Sequence, residues 1–283
     1  MKIGAHVSIA GGFHKSVKRA LDLGCDCFQI FTRSPRMWKY KPLDEKTITL
    51  FKEARKKSGL GPLVSHMPYL PNLSSPEKEM FEKSSEALYD ELQRCKKLGV
   101  EYICTHLGSD KGDGKGEERV VKAIISSIEK STAKGEVMIL LENTAARSRI
   151  GGDLKHVANI IEKVEERGFI RQVGFLMDTC HAFAAGYDLR TEEAVEKTVE
   201  EIDTIIGINK LHAIHANDSK GEFGFGKDRH EHISFGMIGA DGFKAILHHK
   251  KLRKVPFYLE THDKKGDKIG HKQNLAKLRE LAL

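Results

Sequence analysis

Short apolar runs alternate with amphipathic stretches along the chain. The runs fall at 2–7, 26–31, 62–66, 101–106, 136–141, 172–178, 210–215 and 255–260. Their length and flanking turn residues read as buried strands. Between them, apolar residues recur at three- and four-residue spacing: Leu88, Leu92 and Cys95; Val121, Ile124, Ile125 and Ile128; Leu154, Val157, Ile160, Ile161 and Val164; Val195, Val199, Ile202 and Ile206. That spacing predicts helices with one apolar face. Gly24, Gly59, Gly99, Gly135, Gly168 and Gly207 each follow such a stretch, where glycine supplies the left-handed residue that ends a helix. Eight strand–helix units in 283 residues predict an α/β chain closed into a (β/α)8 TIM barrel, with an open doubly wound sheet as the competing arrangement. No linker rich in Pro, Ser or Gly interrupts the pattern, so residues 1–283 are expected to form a single domain.

The connections are unequal. Those from helix to strand are short, whereas those from strand to helix are long and polar, at 67–76, 107–115, 143–152 and 216–238. In a barrel these leave the C-terminal ends of the strands, the face that carries chemistry. The residues at those ends are His6, His66, His106, Glu142, Asp178, His215 and Glu260. Seven of the eight runs thus finish in a residue type that binds metals, and closure of the barrel would converge them. His181, three residues past Asp178, and the Asp228/His230 pair in the long 216–238 connection add to the set.

Carboxylates and imidazoles crowded at the mouth of an apolar barrel carry desolvation and repulsion costs that cations would offset. Mixed His and carboxylate donors suit zinc, manganese or iron better than calcium or magnesium. The donors exceed what one ion needs, so two or three ions are implied, and Glu142 has two oxygens with which to bridge a pair. Any one of these histidines alone reads more simply as a hydrogen-bonded or solvated residue. It is their joint placement at strand ends that carries the argument. His14, His156, His248, His249 and His271 lie within helical patterns and read as structural.

Composition narrows the setting. The five cysteines (Cys25, Cys27, Cys95, Cys104, Cys180) are scattered without CxxC spacing, which reads as free thiols in a reducing compartment. No run is long and apolar enough to span a bilayer, and Met1-Lys2 leads directly into Ile3-Gly4-Ala5-His6 without a signal region. A soluble, cytoplasmic protein is expected. The formal net charge of +7 permits a polyanionic partner without requiring one.

The segment Met177-Asp178-Thr179-Cys180-His181, continuing through Gly186-Tyr187-Asp188, resembles the endonuclease IV family of zinc-dependent apurinic/apyrimidinic endonucleases. So do Leu141-Glu142-Asn143-Thr144, His215-Ala216-Asn217-Asp218-Ser219-Lys220, Asp228-Arg229-His230 and the opening Ile3-Gly4-Ala5-His6-Val7-Ser8. The resemblance covers essentially the whole chain. It implies three zinc ions, with Mn2+ or Fe2+ acceptable at some sites. His66 and His106 would bind one, with Glu142 bridging to a second completed by Asp178, His215 and Glu260. His181, Asp228 and His230 would hold the third. Glu142 is then the residue on which catalysis turns. The activity implied is hydrolysis of the phosphodiester 5′ to an abasic site in damaged double-stranded DNA, leaving a 3′-hydroxyl and a 5′-deoxyribose phosphate. By the same resemblance Arg36, Tyr69 and Leu70 would enter the minor groove, where a missing base leaves little stacking to disrupt. Lys220 is a candidate phosphate contact, with a solvated surface lysine as its default reading. A monomer is expected.

Some residues fall outside that pattern. His6 fits the mouth either as support for the ligands or as a solvated polar residue, His262 has no role, and Cys180 reads as a buried thiol, with ligation the alternative. A divalent-metal-dependent sugar isomerase or epimerase is the competing function, since such enzymes gather similar residues on similar barrels. The third ligand set, Arg36, Tyr69 and the net charge speak against it. A lesion-binding protein without catalysis would show broken ligand sets, and none is broken.

Overall fold

The structure, a computed structural model, describes residues 1–263 and 269–283. Its centre is a closed parallel barrel of β1 (Ile3–His6), β2 (Cys27–Ile30), β3 (Leu63–His66), β4 (Tyr102–Thr105), β5 (Met138–Glu142), β6 (Val173–Asp178), β7 (Leu211–His215) and β10 (Phe257–Leu259). Around the barrel the order is β1-β10-β7-β6-β5-β4-β3-β2. Helices α1 (Phe13–Asp22), α2 (Glu45–Ser58), α3 (Lys78–Leu98), α4 (Gly116–Lys130), α5 (Leu154–Glu166), α7 (Glu192–Ile205), α8 (Gly239–His248) and α9 (His271–Leu281) follow the eight strands in turn. The expected eight-unit barrel is therefore the observed one. The strands are shorter than the apolar runs, so His106 and Glu260 each stand one residue past a strand end.

The barrel interior is filled by one fully buried residue from each of seven strands: Cys27, Val64, Cys104, Leu140, Leu176, Ala213 and Tyr258. The eighth strand supplies Gly4, paired on one side with Cys27 and on the other with Tyr258. A methyl group on Gly4 would lie 1.8 Å from the Cys27 carbonyl oxygen, so only glycine fits this level. Neighbours in sequence, such as Phe28, Leu63, Ile103, Leu141, Phe175 and Phe257, point outward into the layer shared with the helices. Side chains alternate along a strand, so the next inward position lies two residues on. That rule selects His6, Gln29, His66, His106, Glu142, Asp178, His215 and Glu260, one from each strand.

Two pieces of local structure were not apparent in the hydrophobic pattern. The short helix α6 (Thr179–Ala184) starts directly from β6, with the Asp178 carboxylate accepting from the His181 amide at 2.8 Å. The 216–238 connection is closed by two antiparallel two-residue strands, β8 (Asp218–Ser219) and β9 (His230–Glu231). The buried Asp218 carboxylate accepts from the amides of Ser219, Gly236 and Ile238, which ties both ends of that connection together. Gly59 and Gly99 close α2 and α3 at φ 68° and 71°, as their spacing predicts, whereas α4 ends at Lys130 with Ser131 as its cap, so Gly135 lies in the turn beyond the helix and does not end it. Among the described residues, no helix is long and apolar enough to cross a membrane.

Leu176 is fully buried inside the barrel, whereas Ile170 on the surface is 66% exposed. Leu176→Ala should cost about 3 kcal/mol of unfolding free energy through the cavity it leaves. Ile170→Ala should change it by no more than about 0.5 kcal/mol. Urea denaturation followed by circular dichroism measures both.

Candidate metal centre

The period-two register delivers eight polar side chains to a single layer above the apolar plug. Glu142, wholly buried at the end of β5, lies at its centre. Its Oε2 is 3.5 Å from His66 Nε2 and 3.5 Å from His106 Nε2, while its Oε1 is 3.0 Å from His215 Nδ1 and 3.4 Å from His181 Nδ1. The two oxygens of one carboxylate thus face two different pairs of imidazoles. His215 Nδ1 also lies 3.2 Å from Glu260 Oε2 and 3.7 Å from Asp178 Oδ2. Glu142, Asp178, His215 and Glu260 each present one ligand atom, all within 4.8 Å of one another.

Beside this group, Asp178, His181 and His230 form another set with the same mutual spacing. Asp228 joins it through His181 Nε2 at 3.3 Å and His230 Nε2 at 3.1 Å. All nine residues singled out as ligands are therefore together at the mouth. Asp178 differs from expectation in facing two groups, since its Oδ2 is also 3.5 Å from His230 Nε2.

Hydrogen bonds orient three of the rings. His66 Nδ1 donates to the Met67 carbonyl at 2.6 Å, leaving Nε2 toward Glu142. His215 Nε2 donates to Gln29 Oε1 at 2.9 Å, leaving Nδ1 toward the carboxylates. His181 Nδ1 donates to the Asn143 carbonyl at 3.0 Å, leaving Nε2 toward Asp228. Neutral acceptors behind imidazoles are what metal sites use to orient their histidines.

The electrostatics describe a cluster in want of positive charge. Burial alone would depress His181, but the carboxylates of Asp178, Asp228 and Glu142 outweigh it and hold the ring well above its ordinary range. His215 is likewise depressed by burial yet raised by Glu260 and Glu142 to about 9. Glu142 and Glu260, which burial would push up, are instead held well below the usual carboxylate range by neighbouring imidazoles. Asp228 falls to about 2, His181 outweighing its burial. His106 and His6 are lowered, chiefly by burial.

Protons on these rings stand where cations would neutralise the same carboxylates. The donor set also passes a direct test. His230 Nε2 is buried and makes no hydrogen bond among the described residues, although it faces carboxylate oxygens of Asp228 and Asp178. A buried nitrogen aimed at two carboxylates without a hydrogen bond is costly unless a cation lies between them.

Four supporting residues escaped the sequence reading. Gln29 fills the one strand end that carried no ligand type: its Nε2 donates to Glu260 Oε1 at 2.6 Å and faces His6 Nδ1 at 3.0 Å. The period-two rule selects this position, but an uncharged amide is not a residue type that signals a metal site. Asn143 and Asn217 clamp Asp178, the first through its backbone and the second by donating to Oδ2 at 2.7 Å. Cys104 Sγ donates to Glu142 Oε2 at 3.2 Å. Of the two readings left open for His6, the structure favours support: its Nδ1 lies 3.5 Å from Glu260 Oε1. Cys180 is a buried thiol near Asp228 and His230, its pKa pushed up by burial.

The cluster opens into a cleft of about 750 Å3 lined also by Arg36, Tyr69, Lys220 and His262. Arg36 is exposed on the β2–α2 connection. Tyr69 is 60% exposed and touches Phe31 and His66 edge-on, with ring centres 5.3 and 5.9 Å away. Leu70 lies at the rim beside Tyr69, outside the cleft lining. Lys220 is partly engaged, 3.7 Å from Glu231. A larger groove of about 900 Å3 runs between α7 and α8, but His249 there is engaged with Glu196, and Lys251 with Asp203.

Residues 17–281 match the family model described as a xylose isomerase-like TIM barrel. A probable endonuclease 4 from Methanoculleus marisnigri is 49% identical over 99% of this chain and 98% of its own length. The crystal structure of endonuclease IV from Thermus thermophilus superposes with a TM-score of 0.88 at 32% identity, covering 99% of this chain and 98% of that one. A D-tagatose 3-epimerase-like protein, 19% identical, covers 99% of this chain and 95% of its own at a TM-score of 0.70, which reflects the shared barrel alone. With near-complete coverage, high identity and a barrel mouth built from the expected residues, the chain belongs to the endonuclease IV family.

Proposed function

We propose that this protein is a DNA-repair endonuclease that hydrolyses the phosphodiester 5′ to abasic sites in duplex DNA, leaving a 3′-hydroxyl and a 5′-deoxyribose phosphate. The observation that carries the proposal is the position of Glu142, whose two oxygens face separate sets of imidazoles. His66 and His106 with Glu142 would hold one divalent ion. Glu142, Asp178, His215 and Glu260 would hold a second, and His181, Asp228 and His230 a third. The His and carboxylate donors fit zinc foremost, with Mn2+ or Fe2+ compatible. When bound, such ions make a water proton removable near neutral pH and neutralise charge that builds on a phosphodiester.

The chain's own residues do the rest. Gln29, Asn143 and Asn217 hold the ligands in register, so little reorganisation is needed as charge develops. Arg36 and Tyr69, on the exposed side of the cleft, would engage the groove opposite the missing base, with Leu70 at the rim and Lys220 on phosphate. The third ligand set and this exposed wedge have no use in binding a small sugar, which weighs against an isomerase. The whole chain would act as one domain and as a cytoplasmic monomer.

A duplex with one abasic site, beside its undamaged counterpart, provides the test. Incision 5′ to the lesion should disappear after prolonged chelation and return with zinc; a metal-replete protein that leaves the lesion uncut would sink the proposal. Glu142→Gln should lower incision by about a thousandfold or more while the protein stays folded by circular dichroism. Arg36→Ala should weaken binding of abasic duplex about tenfold and leave bound metal, measured by elemental analysis, unchanged.

A further inference from the structure

A second buried polar cluster lies away from the metal centre, between the β2–α2 connection and helix α3. Glu91 of α3 is wholly buried and accepts from Thr32 Oγ1 at 2.7 Å and Ser65 Oγ at 2.6 Å. Its other oxygen faces Arg33 Nε at 3.4 Å, and both atoms are buried without a hydrogen bond among the described residues. One turn along α3, Arg94 donates from Nε to Thr32 Oγ1 at 3.0 Å and from its terminal nitrogens to the carbonyls of Thr32 and Lys41. The Tyr40 ring lies under both guanidiniums, 4.7 Å from that of Arg33 and 5.0 Å from that of Arg94. One network therefore grips the connection at residues 32–33 and again at 40–41. The stretch it leaves between those grips, 34–39, contains Arg36. That tip is tied in turn to the neighbouring loop, where the Tyr69 amide donates to the Pro35 carbonyl at 3.1 Å.

We infer that the buried Thr32–Glu91–Arg94–Arg33 network is the positioning device for lesion recognition, stapling the Arg36 loop to α3 and, through Pro35, aligning it with Tyr69. Buried hydrogen bonds suit this task because they are directional, and breaking one strands a partner away from water. The Thr32 hydroxyl joins the acid to the base, donating to Glu91 and accepting from Arg94. None of the network's members is among the ligand groups at the barrel mouth. The inference rests on the reading that Arg36 engages damaged DNA.

Trp38, the chain's single tryptophan, sits on the stapled tip and packs against the core, so it reports the loop directly. In the metal-loaded protein without DNA, Thr32→Val should raise acrylamide quenching of Trp38 about twofold, with metal content unchanged. With abasic duplex, KM should rise about tenfold while kcat stays within about twofold, the signature of lost positioning in binding. Thr32→Ser, which restores the hydroxyl, should return both readouts to wild type; Arg94→Lys should behave as Thr32→Val. Wild-type quenching in Thr32→Val would overturn the staple. Increased quenching with unaltered KM would overturn its role in recognition. If Arg36→Ala bound abasic duplex as well as wild type, the underlying reading of Arg36 would fail, a result the DNA-free Trp38 measurement keeps separate.

Discussion

Glu142 places a carboxylate at the end of β5 with no access to solvent, and the barrel mouth is organised around that charge. Isolated, it would be too costly to bury in ionised form. Four imidazoles approach its two oxygens within 3.5 Å, and three of them are oriented by hydrogen bonds to Met67, Asn143 and Gln29. Further carboxylates gather around those rings: Asp178, Asp228 and Glu260. The demand for positive charge is thus passed outward, where protonated imidazoles such as His181 and His215 answer it and where cations could take their place. This is why the same residues that would be a liability in an apolar core make a candidate site for metal ions.

The fold answers two requirements with two different chemistries. At the mouth, polar atoms converge on points where a cation can sit, and the orphaned His230 Nε2 marks one such place. Behind the β2–α2 connection, the Glu91 and Arg94 cluster joins α3 to Thr32 and to Ser65 of β3 and shares no residue with the candidate metal groups. The first arrangement suits chemistry on a phosphodiester, the second suits holding a loop still. Asp218 does a similar service after β7, gathering the amides of Ser219, Gly236, Ile238 and Gly239 to hold the connection that carries Asp228 and His230.

Much of this was legible in the sequence because strand geometry is periodic. An inward residue at one level requires another two positions later, so Val64 predicts the placement of His66, and Leu140 that of Glu142. The same rule covered Gln29, yet an amide carries no charge and drew no notice. Cys104 lay hidden for a different reason: a thiol two residues before His106 looks like core, and its approach to Glu142 depends on the pairing of β4 with β5, which neither segment shows alone. Helix α6 and the β8–β9 pair are too short to show a hydrophobic period. Their existence depends on Asp178 capping a helix and on Asp218 gathering distant amides.

The chain by itself determined the number of βα units, the face on which the long connections emerge, and the residue types at each strand end. These follow from alternation along single strands and from helix-ending glycines, which are local effects. Tertiary structure decided which ligands share a centre: that Asp178 serves two groups, that Glu142 divides its oxygens between two imidazole pairs, and that Arg33, Glu91 and Arg94 meet under one loop. Such pairings join residues far apart in sequence, and their distances are set by barrel closure and strand stagger, quantities that no single segment contains.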